Sequence, residues 1–224
     1  MIRALPVGAL VVWVALLGAA DPVWKAKSVA EWTENDAREV LANSPWVKRA
    51  VVAVLPELSA QQRREGGATG GGHGVGLDGL NGKGDPRAKK QVGPISIRWE
   101  SASPVRAAEL KAREVGAPDW EGDAYVLAVY DVPDVKAGTN TRNQLADLRQ
   151  VAFLKRSGKK DLKPDSVQLL QEPSGLSIVV YVFPRTEDIT LGDERIEFTA
   201  QINRISVAQY FFPAQMEMNN KLQL

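Results

Sequence analysis

The segment AYVLAVYDV at Ala124–Val132 is apolar on both faces of an extended chain, and the rest of the architecture follows from it. A strand that is buried on both faces lies in the interior of a sheet. Before this segment, Ile95, Ile97 and Trp99 alternate with polar residues, which is the pattern of a half-buried strand. We therefore predict a central strand at Ala124–Val132. If it runs parallel to the strand at 95–99, the connection between the two is right-handed.

Further strands are predicted from apolar runs and from alternation of apolar with polar residues. They lie at Val47–Leu55, Val151–Leu154, Val167–Leu170, Leu176–Phe183, Ile196–Ile202 and Ile205–Phe212, with Lys221–Leu224 as a last edge strand. The turn at residues 173–175, Pro-Ser-Gly, predicts that the strands on either side of it form a hairpin.

Two helices are predicted from their capping residues. Thr33 is an N-cap with Asp36 at the third helical position, a variant of the capping box. Ser103 is an N-cap with Pro104 at the first helical position, and Gly116 ends that helix. The predicted fold class is therefore α+β, a largely antiparallel β-sheet with two or three helices packed on one side.

A low-complexity stretch interrupts the chain, since ten of the nineteen residues from Gly66 to Gly84 are glycine. Such a segment cannot offset its ordering entropy by burying side chains, so we predict a long Gly-rich flexible, disordered loop at 56–94. A structureless loop of this length is unusual inside a compact domain, which makes it an insertion or a linker. The predicted organisation is an N-terminal helix-strand unit at 21–55, the loop, and a main α+β part at 95–224. Together 21–224 form one domain with the loop as an insertion.

Residues 1–20 have the features of a secretory signal peptide. Arg3 supplies positive charge, Ala4–Leu17 is uncharged and apolar, and Gly18–Ala20 offers small residues for cleavage. We predict cleavage near Ala20, a secreted or periplasmic protein, and no membrane span after cleavage. The alternative is a retained anchor, since the uncharged run at Ala4–Ala20 is just long enough to cross a bilayer. A lipid anchor on cysteine is excluded because the chain has no cysteine.

Composition narrows the chemistry further. Cleavage removes Arg3 and leaves 27 basic and 27 acidic side chains, which argues against a nucleic-acid partner. Because the chain has no cysteine, catalysis by a thiol and metal binding by thiolates are excluded. His73 is the single histidine, which excludes a zinc site built from several histidines. Any Ser-His-Asp triad would have to use His73.

Short motifs spread over most of the chain outside the loop point to a family. They are Glu31–Thr33, Asp36–Ala37 and Ser44–Trp46, then Arg98–Ala102 and Pro104–Arg106, and finally Phe183–Thr186, Ile189–Leu191 and Lys221–Leu224. Together they resemble the motifs of uncharacterised, predicted secreted bacterial proteins. The resemblance implies no assigned activity and no catalytic residue. The stretch Tyr210–Asn220 departs from the pattern of that family.

Three patterns in the loop are weak candidates for sites. Gly74–Gly79 matches GxGxxG, but dinucleotide binding needs this motif between a strand and a helix, and the sequence predicts neither there. Asp78, Asn81 and Asp85 could offer oxygens to Ca²⁺, but the terminal bidentate acid of a calcium loop is missing. His73 lies among glycines, which cannot hold a catalytic base in place. We therefore predict no cofactor, no metal ligand and no catalytic residue in the loop, and we predict none in the rest of the chain.

Two patterns outside the loop have structural alternatives. Ser157 and Lys160 have SxxK spacing, but they lie in a charged segment that predicts a turn. Acids cluster at Asp119–Asp123, Glu187–Asp188 and Asp193–Glu194, and a pair of them could hydrolyse a glycoside only across a cleft. Each cluster lies at a strand end or turn, where acids are common.

Cations and tryptophans offer two surfaces for a partner. The loop is flanked by basic residues that could touch an anionic polymer or lipid surface, or simply keep a linker soluble. These residues are Arg63, Arg64, Lys83, Arg87, Lys89 and Lys90. Trp24 and Trp120 are predicted to be the exposed tryptophans, which could bind a sugar or peptide, whereas Trp32 and Trp99 are predicted to lie in the core.

The sequence therefore predicts an exported α+β protein with a non-enzymatic role in binding or envelope assembly. Its expected partner is a protein or a glycan. One alternative is a secreted hydrolase that uses carboxylates on a polysaccharide, and another is a surface protein held by its N-terminal segment. The three differ in whether two acids meet in a cleft and in whether the exported chain begins at Asp21.

Overall fold

The computed structural model describes residues 21–50, 52–54, 90–91, 94–114, 116–120, 122–133, 135, 141–172 and 174–224. The predicted signal peptide at 1–20 and nearly all of the predicted loop at 56–94 lie outside these residues. His73, the GxGxxG match at 74–79 and the oxygen-bearing residues Asp78, Asn81 and Asp85 lie outside them as well.

The described residues form α-helices, short 3₁₀ turns and strands, and the strands come mostly in consecutive runs. The helices are α1 at Val23–Ala26, α2 at Glu34–Asn43, α3 at Ser103–Ala112 and α4 at Thr141–Gln150, with 3₁₀ turns at Val29–Glu31 and Pro213–Gln215. The strands are β1 at Val47–Ala50, β2 at Ala53–Val54, β3 at Lys90–Gln91, β4 at Ile95–Trp99, β5 at Ala124–Val132, β6 at Phe153–Arg156, β7 at Ser166–Gln171, β8 at Ser177–Pro184, β9 at Ile196–Ile202, β10 at Ile205–Phe211, β11 at Glu217–Met218 and β12 at Lys221–Leu222. Among the described helices, none is both long and apolar enough to cross a membrane.

The first sheet is antiparallel, with the strand order β1-β4-β5-β8-β7. The predicted central strand is confirmed, because β5 lies third of five and its residues from Tyr125 to Tyr130 are buried on both faces. β4 runs antiparallel to β5, with Ile97 opposite Val129, so the right-handed parallel connection does not arise. The hairpin predicted at residues 173–175 is confirmed by the pairing of β7 with β8.

The second sheet has the order β3-β2-β10-β9-β6 and is also antiparallel. Its β9 and β10 form a hairpin whose turn contains Asn203 at a φ of 52°, a left-handed conformation that asparagine tolerates well. The prediction of a single strand at Val47–Leu55 is wrong, because the segment forms two strands in different sheets. β1 pairs in the first sheet and β2 in the second, so the chain changes sheets between Ala50 and Ala53.

The inner faces of the two sheets share one hydrophobic core. Trp99 on β4 meets Tyr125 and Phe211 edge to face, with ring centroids 5.9 and 5.2 Å apart. Phe211 belongs to the second sheet, so this cluster joins the two layers. Tyr181 on β8 likewise contacts Phe198 on β9, with a centroid distance of 5.5 Å. The α+β class with largely antiparallel strands is confirmed, and the strands are divided between two main sheets and the small β11–β12 hairpin.

The helix α2 begins as its capping residues predict. The Thr33 hydroxyl accepts a hydrogen bond from the Asp36 backbone N–H at 3.2 Å, and the Asp36 carboxylate accepts one from the Thr33 N–H at 2.8 Å. This reciprocal pair satisfies donors that a helix leaves free at its first turn. The buried face of α2, at Ala37, Val40 and Leu41, packs with α3 in the core.

The start of α3 and the existence of α4 differ from the prediction. Ser103 is already helical and Ala102 is the N-cap, so Pro104 stands at the second helical position rather than the first. The helix ends with Arg113 in a left-handed conformation, before Gly116. The sequence did not predict α4, because only Leu145 and Leu148 mark its apolar face, and two positions are too few to show a helical period.

Candidate functional site

An open cavity of about 500 Å³ lies beside β1, the edge strand of the first sheet. We call it the β1 cavity. It is lined by Trp24, Ala42, Asn43, Ser44, Pro45, Val47, Lys48, Arg49 and Gln215. The wall thus combines α1, the end of α2, the turn that follows it, β1 and the 3₁₀ turn at Pro213–Gln215. Its volume is in the range of small-molecule sites.

Local chemistry holds these elements at the sheet edge. The chain leaves α2 at Ser44, whose φ of −116° is not helical, and Pro45 cannot donate the hydrogen bond needed to continue the helix. Trp46 is fully buried, and its indole N–H donates to the Gln223 carbonyl at 2.7 Å. Trp24 of α1 meets Trp46 edge to face at 6.2 Å, which fixes α1 against the start of β1.

Two cations of the β1 cavity, Lys48 and Arg49, have no acidic partner among the described residues. The Lys48 ammonium instead lies 5.8 Å from the centre of the Phe211 ring. Partial burial lowers the pKa of Lys48 from its usual range, because an ammonium group loses hydration there.

The same wall contains two buried hydrogen-bond donors without an acceptor among the described residues, the Trp24 indole N–H and the Ser44 hydroxyl. Buried polar groups are normally satisfied, so such atoms need an explanation. Asn43 and Gln215 add amide groups to the lining. The two buried donors lie beneath the surface of the wall, so the cavity itself offers the cations and the two amide groups, and its described lining contains no acidic side chain.

A second, smaller cavity of about 280 Å³ shares Ala42 and Arg49 with the first. Its other cations are paired: Arg38 with Glu34, and Arg98 with Glu114 at 2.5 Å. Arg49 is thus the cation of the second cavity that has no ion-pair partner among the described residues, and the β1 cavity adds Lys48 to it.

A pair of buried carboxyl groups lies at the outer face of the first sheet. Glu100 follows β4 and is fully buried, and Glu109 on α3 is 3% exposed. The Tyr130 hydroxyl donates to Glu100 Oε1 at 2.8 Å, and Arg106 lies 3.3 Å from Glu109 Oε2. Each acid has a second oxygen that receives no donor from the described residues.

One proton shared by the two acids explains both unpaired oxygens. Burial, a hydrogen bond with Glu100 and the negative charge of Glu100 raise the pKa of Glu109 to about 9. At neutral pH Glu109 is therefore protonated and donates to Glu100. This pair can store a proton, but it is enclosed by protein.

The acidic clusters predicted as candidates serve local contacts. Asp123 pairs with Arg185 at 3.2 Å, and Glu187 pairs with the buried Arg156 at 3.2 Å. Asp193 accepts hydrogen bonds from the Thr190 N–H and from Lys159. Ser157 and Lys160 lie in the turn after β6, as predicted. The described residues include no group of three or more acids or histidines placed to hold a metal ion.

The tryptophans are only partly where the sequence predicts them. Trp32 and Trp99 are buried, as predicted. The prediction that Trp24 is exposed is wrong, because it is 9% exposed and packs on Trp46. Trp120 is half-buried beneath the Arg106 guanidinium, 4.5 Å from the ring centre, and packs on the outer face of the first sheet.

Sequence reasoning missed both the β1 cavity and the Glu100–Glu109 pair. The adjacent cations Lys48 and Arg49 were visible, but only the fold places Trp24 and Gln215 beside them. Glu100 and Glu109 are nine residues apart and become neighbours because α3 folds back over the end of β4. No local signal singles out Glu100, because it occupies a polar position of the alternation formed with Ile95, Ile97 and Trp99.

Comparison with known proteins leaves the chain without an assigned family, because no family model, no curated protein and no solved structure matches it.

Proposed function

We propose that this chain is an exported, non-enzymatic protein that binds a partner or takes part in an envelope assembly, and that the β1 cavity is its binding site. The predicted signal peptide and the resemblance to predicted secreted bacterial proteins support export. The partner is a protein or a glycan of the envelope or its surroundings.

The observation that carries this proposal is that two cations of the β1 cavity have no ion-pair partner among the described residues. Binding sites combine a concave surface with a few polar groups that the protein itself leaves free for the ligand. Lys48 and Arg49 carry charge without ion-pair partners among the described residues, and the amide groups of Asn43 and Gln215 lie in the same lining. By contrast, the carboxyl pair of Glu100 and Glu109 is internally matched.

Filling the cavity should abolish binding while leaving the fold intact. Asn43 is an exposed residue at the end of α2 and part of the lining, so we expect N43W to block the cavity. The matched control is Q150W, at the exposed end of α4. On an array of envelope polysaccharides, peptidoglycan fragments and envelope proteins, wild type and Q150W should bind the same component and N43W should not. Equal binding by all three variants would place the site elsewhere.

The hydrolase alternative has its own readout. Incubation with polysaccharides should release no new reducing ends if the role is binding. Release that E100Q or E109Q removes would establish a carboxylate hydrolase instead.

The anchored alternative is tested by the mass of the exported protein. Signal cleavage near Ala20 predicts a chain that begins at Asp21 and lacks the first twenty residues. An intact N-terminus in the membrane fraction would contradict cleavage and favour the anchored surface protein.

A further inference from the structure

We propose that the β1 cavity binds an anionic group, a carboxylate or a phosphate, of its ligand. This inference rests on the proposed binding role and adds the chemistry of the group that is bound.

The positive charge of the cavity lining favours an anionic ligand. Arg38, Arg98 and Arg185, on or near the same sheet, each have a carboxylate partner. Lys48 and Arg49 have none among the described residues. Two consecutive cations without an acidic partner in the described part of the chain create a local positive potential, whereas the total charge of the chain is close to zero.

The geometry of β1 places its two cations on opposite faces of the first sheet. Consecutive residues of a strand point to opposite faces of its sheet. Lys48 accordingly lies over Phe211 in the inner layer, whereas Arg49 also lines the second cavity on the other side. Both nevertheless line the β1 cavity, which therefore extends across the edge of the strand. An anion at that edge would be contacted by one cation from each face.

The remaining polar groups of the cavity also suit an anion. Asn43 and Gln215 carry amide groups that can donate hydrogen bonds, and the described lining contains no acidic side chain. Carboxylate and phosphate groups offer several acceptor oxygens, and hydrogen bonds to them are stronger than those to neutral acceptors. A neutral sugar would leave both cations uncompensated, so an anionic group fits the wall better.

The test is a titration of ¹⁵N-labelled protein, purified as the cell exports it, with sodium phosphate and separately with sodium galacturonate. Sodium chloride at equal ionic strength is the reference. We expect saturating amide shifts centred on Trp24, on residues 43–49 and on Gln215. A response to phosphate alone would assign a phosphate group, such as a lipid headgroup carries, and a response to galacturonate alone would assign an acidic polysaccharide.

Two variants with a matched control make the result specific. R49Q removes an exposed cation, and we expect about fivefold weaker binding, as for the loss of one charge-assisted contact. K48Q should weaken binding to a similar extent, and R142Q, an exposed arginine of α4, should leave it unchanged. Equal weakening by R49Q and R142Q, or no shift beyond that in sodium chloride, would overturn the proposal. If the anions fail while N43W still abolishes partner binding, the binding role stands and only the anionic ligand is wrong.

Discussion

Replacing Glu109 with glutamine is expected to stabilise the protein, by an amount that grows as the pH rises from 5 to 9. The pKa of Glu109 is raised to about 9 in the folded protein, against an ordinary value of 4.5. At a pH between these two values, Glu109 is protonated in the folded protein and ionised in the unfolded chain. The free energy of unfolding therefore falls by about 1.4 kcal/mol for each unit by which the pH rises. A glutamine amide can donate to Glu100 at every pH and avoids this loss.

The expected gain for E109Q is therefore small near pH 5 and on the order of several kcal/mol near pH 9. Urea denaturation at pH 5, 7 and 9 measures it. The matched control is E39Q, which makes the same substitution at an exposed position of α2 and should show no such trend. A loss of stability in E109Q that is equal at all three pH values would mean that Glu109 is ionised and held by Arg106.

Trp99→Ala is expected to cost about 3–5 kcal/mol of unfolding free energy, the range for truncating a large buried aromatic side chain. Trp99 is fully buried and contacts Tyr125 in its own sheet and Phe211 in the other. W99A therefore removes contacts within the first sheet and between the two sheets. W120A, at a half-buried position, should cost much less.

The same experiment tests whether 21–224 is one domain. If the two sheets share one cooperative core, W99A lowers the midpoint of a single unfolding transition measured by both tryptophan fluorescence and circular dichroism. Two separate transitions, of which only one is moved by W99A, would show that the sheets fold as independent units.

Local signals predicted most of the elements. Thr33 and Asp36 cap α2 as expected because both partners of the capping box lie within one turn. The strand β5 was predictable because its apolar residues on both faces have no other stable environment than the interior of a sheet. The predicted start of α3 is wrong by one residue. Serine is favoured at the N-cap and proline at the first helical position, whereas in the structure Ser103 and Pro104 occupy the first and second helical positions.

The non-local features were not predictable. Nothing in the run from Val47 to Leu55 marks the point where the chain changes sheets, because both pieces have the same strand-like composition and differ only in their partners, β4 and β10. The β1 cavity has the same origin. Trp24, Arg49 and Gln215 are far apart in sequence and line one wall only because α1 and the turn at Pro213–Gln215 both pack at the edge of β1.

The most direct test of the binding role is photo-crosslinking in the cell that exports the protein. A photoreactive diazirine amino acid at Asn43 lies in the wall of the β1 cavity, and the same amino acid at Gln150 lies at the end of α4. We predict one discrete crosslinked envelope component from position 43, none from position 150, and loss of the crosslink when R49Q is added. No crosslink from position 43, or the same products from both positions, would contradict a binding site beside β1.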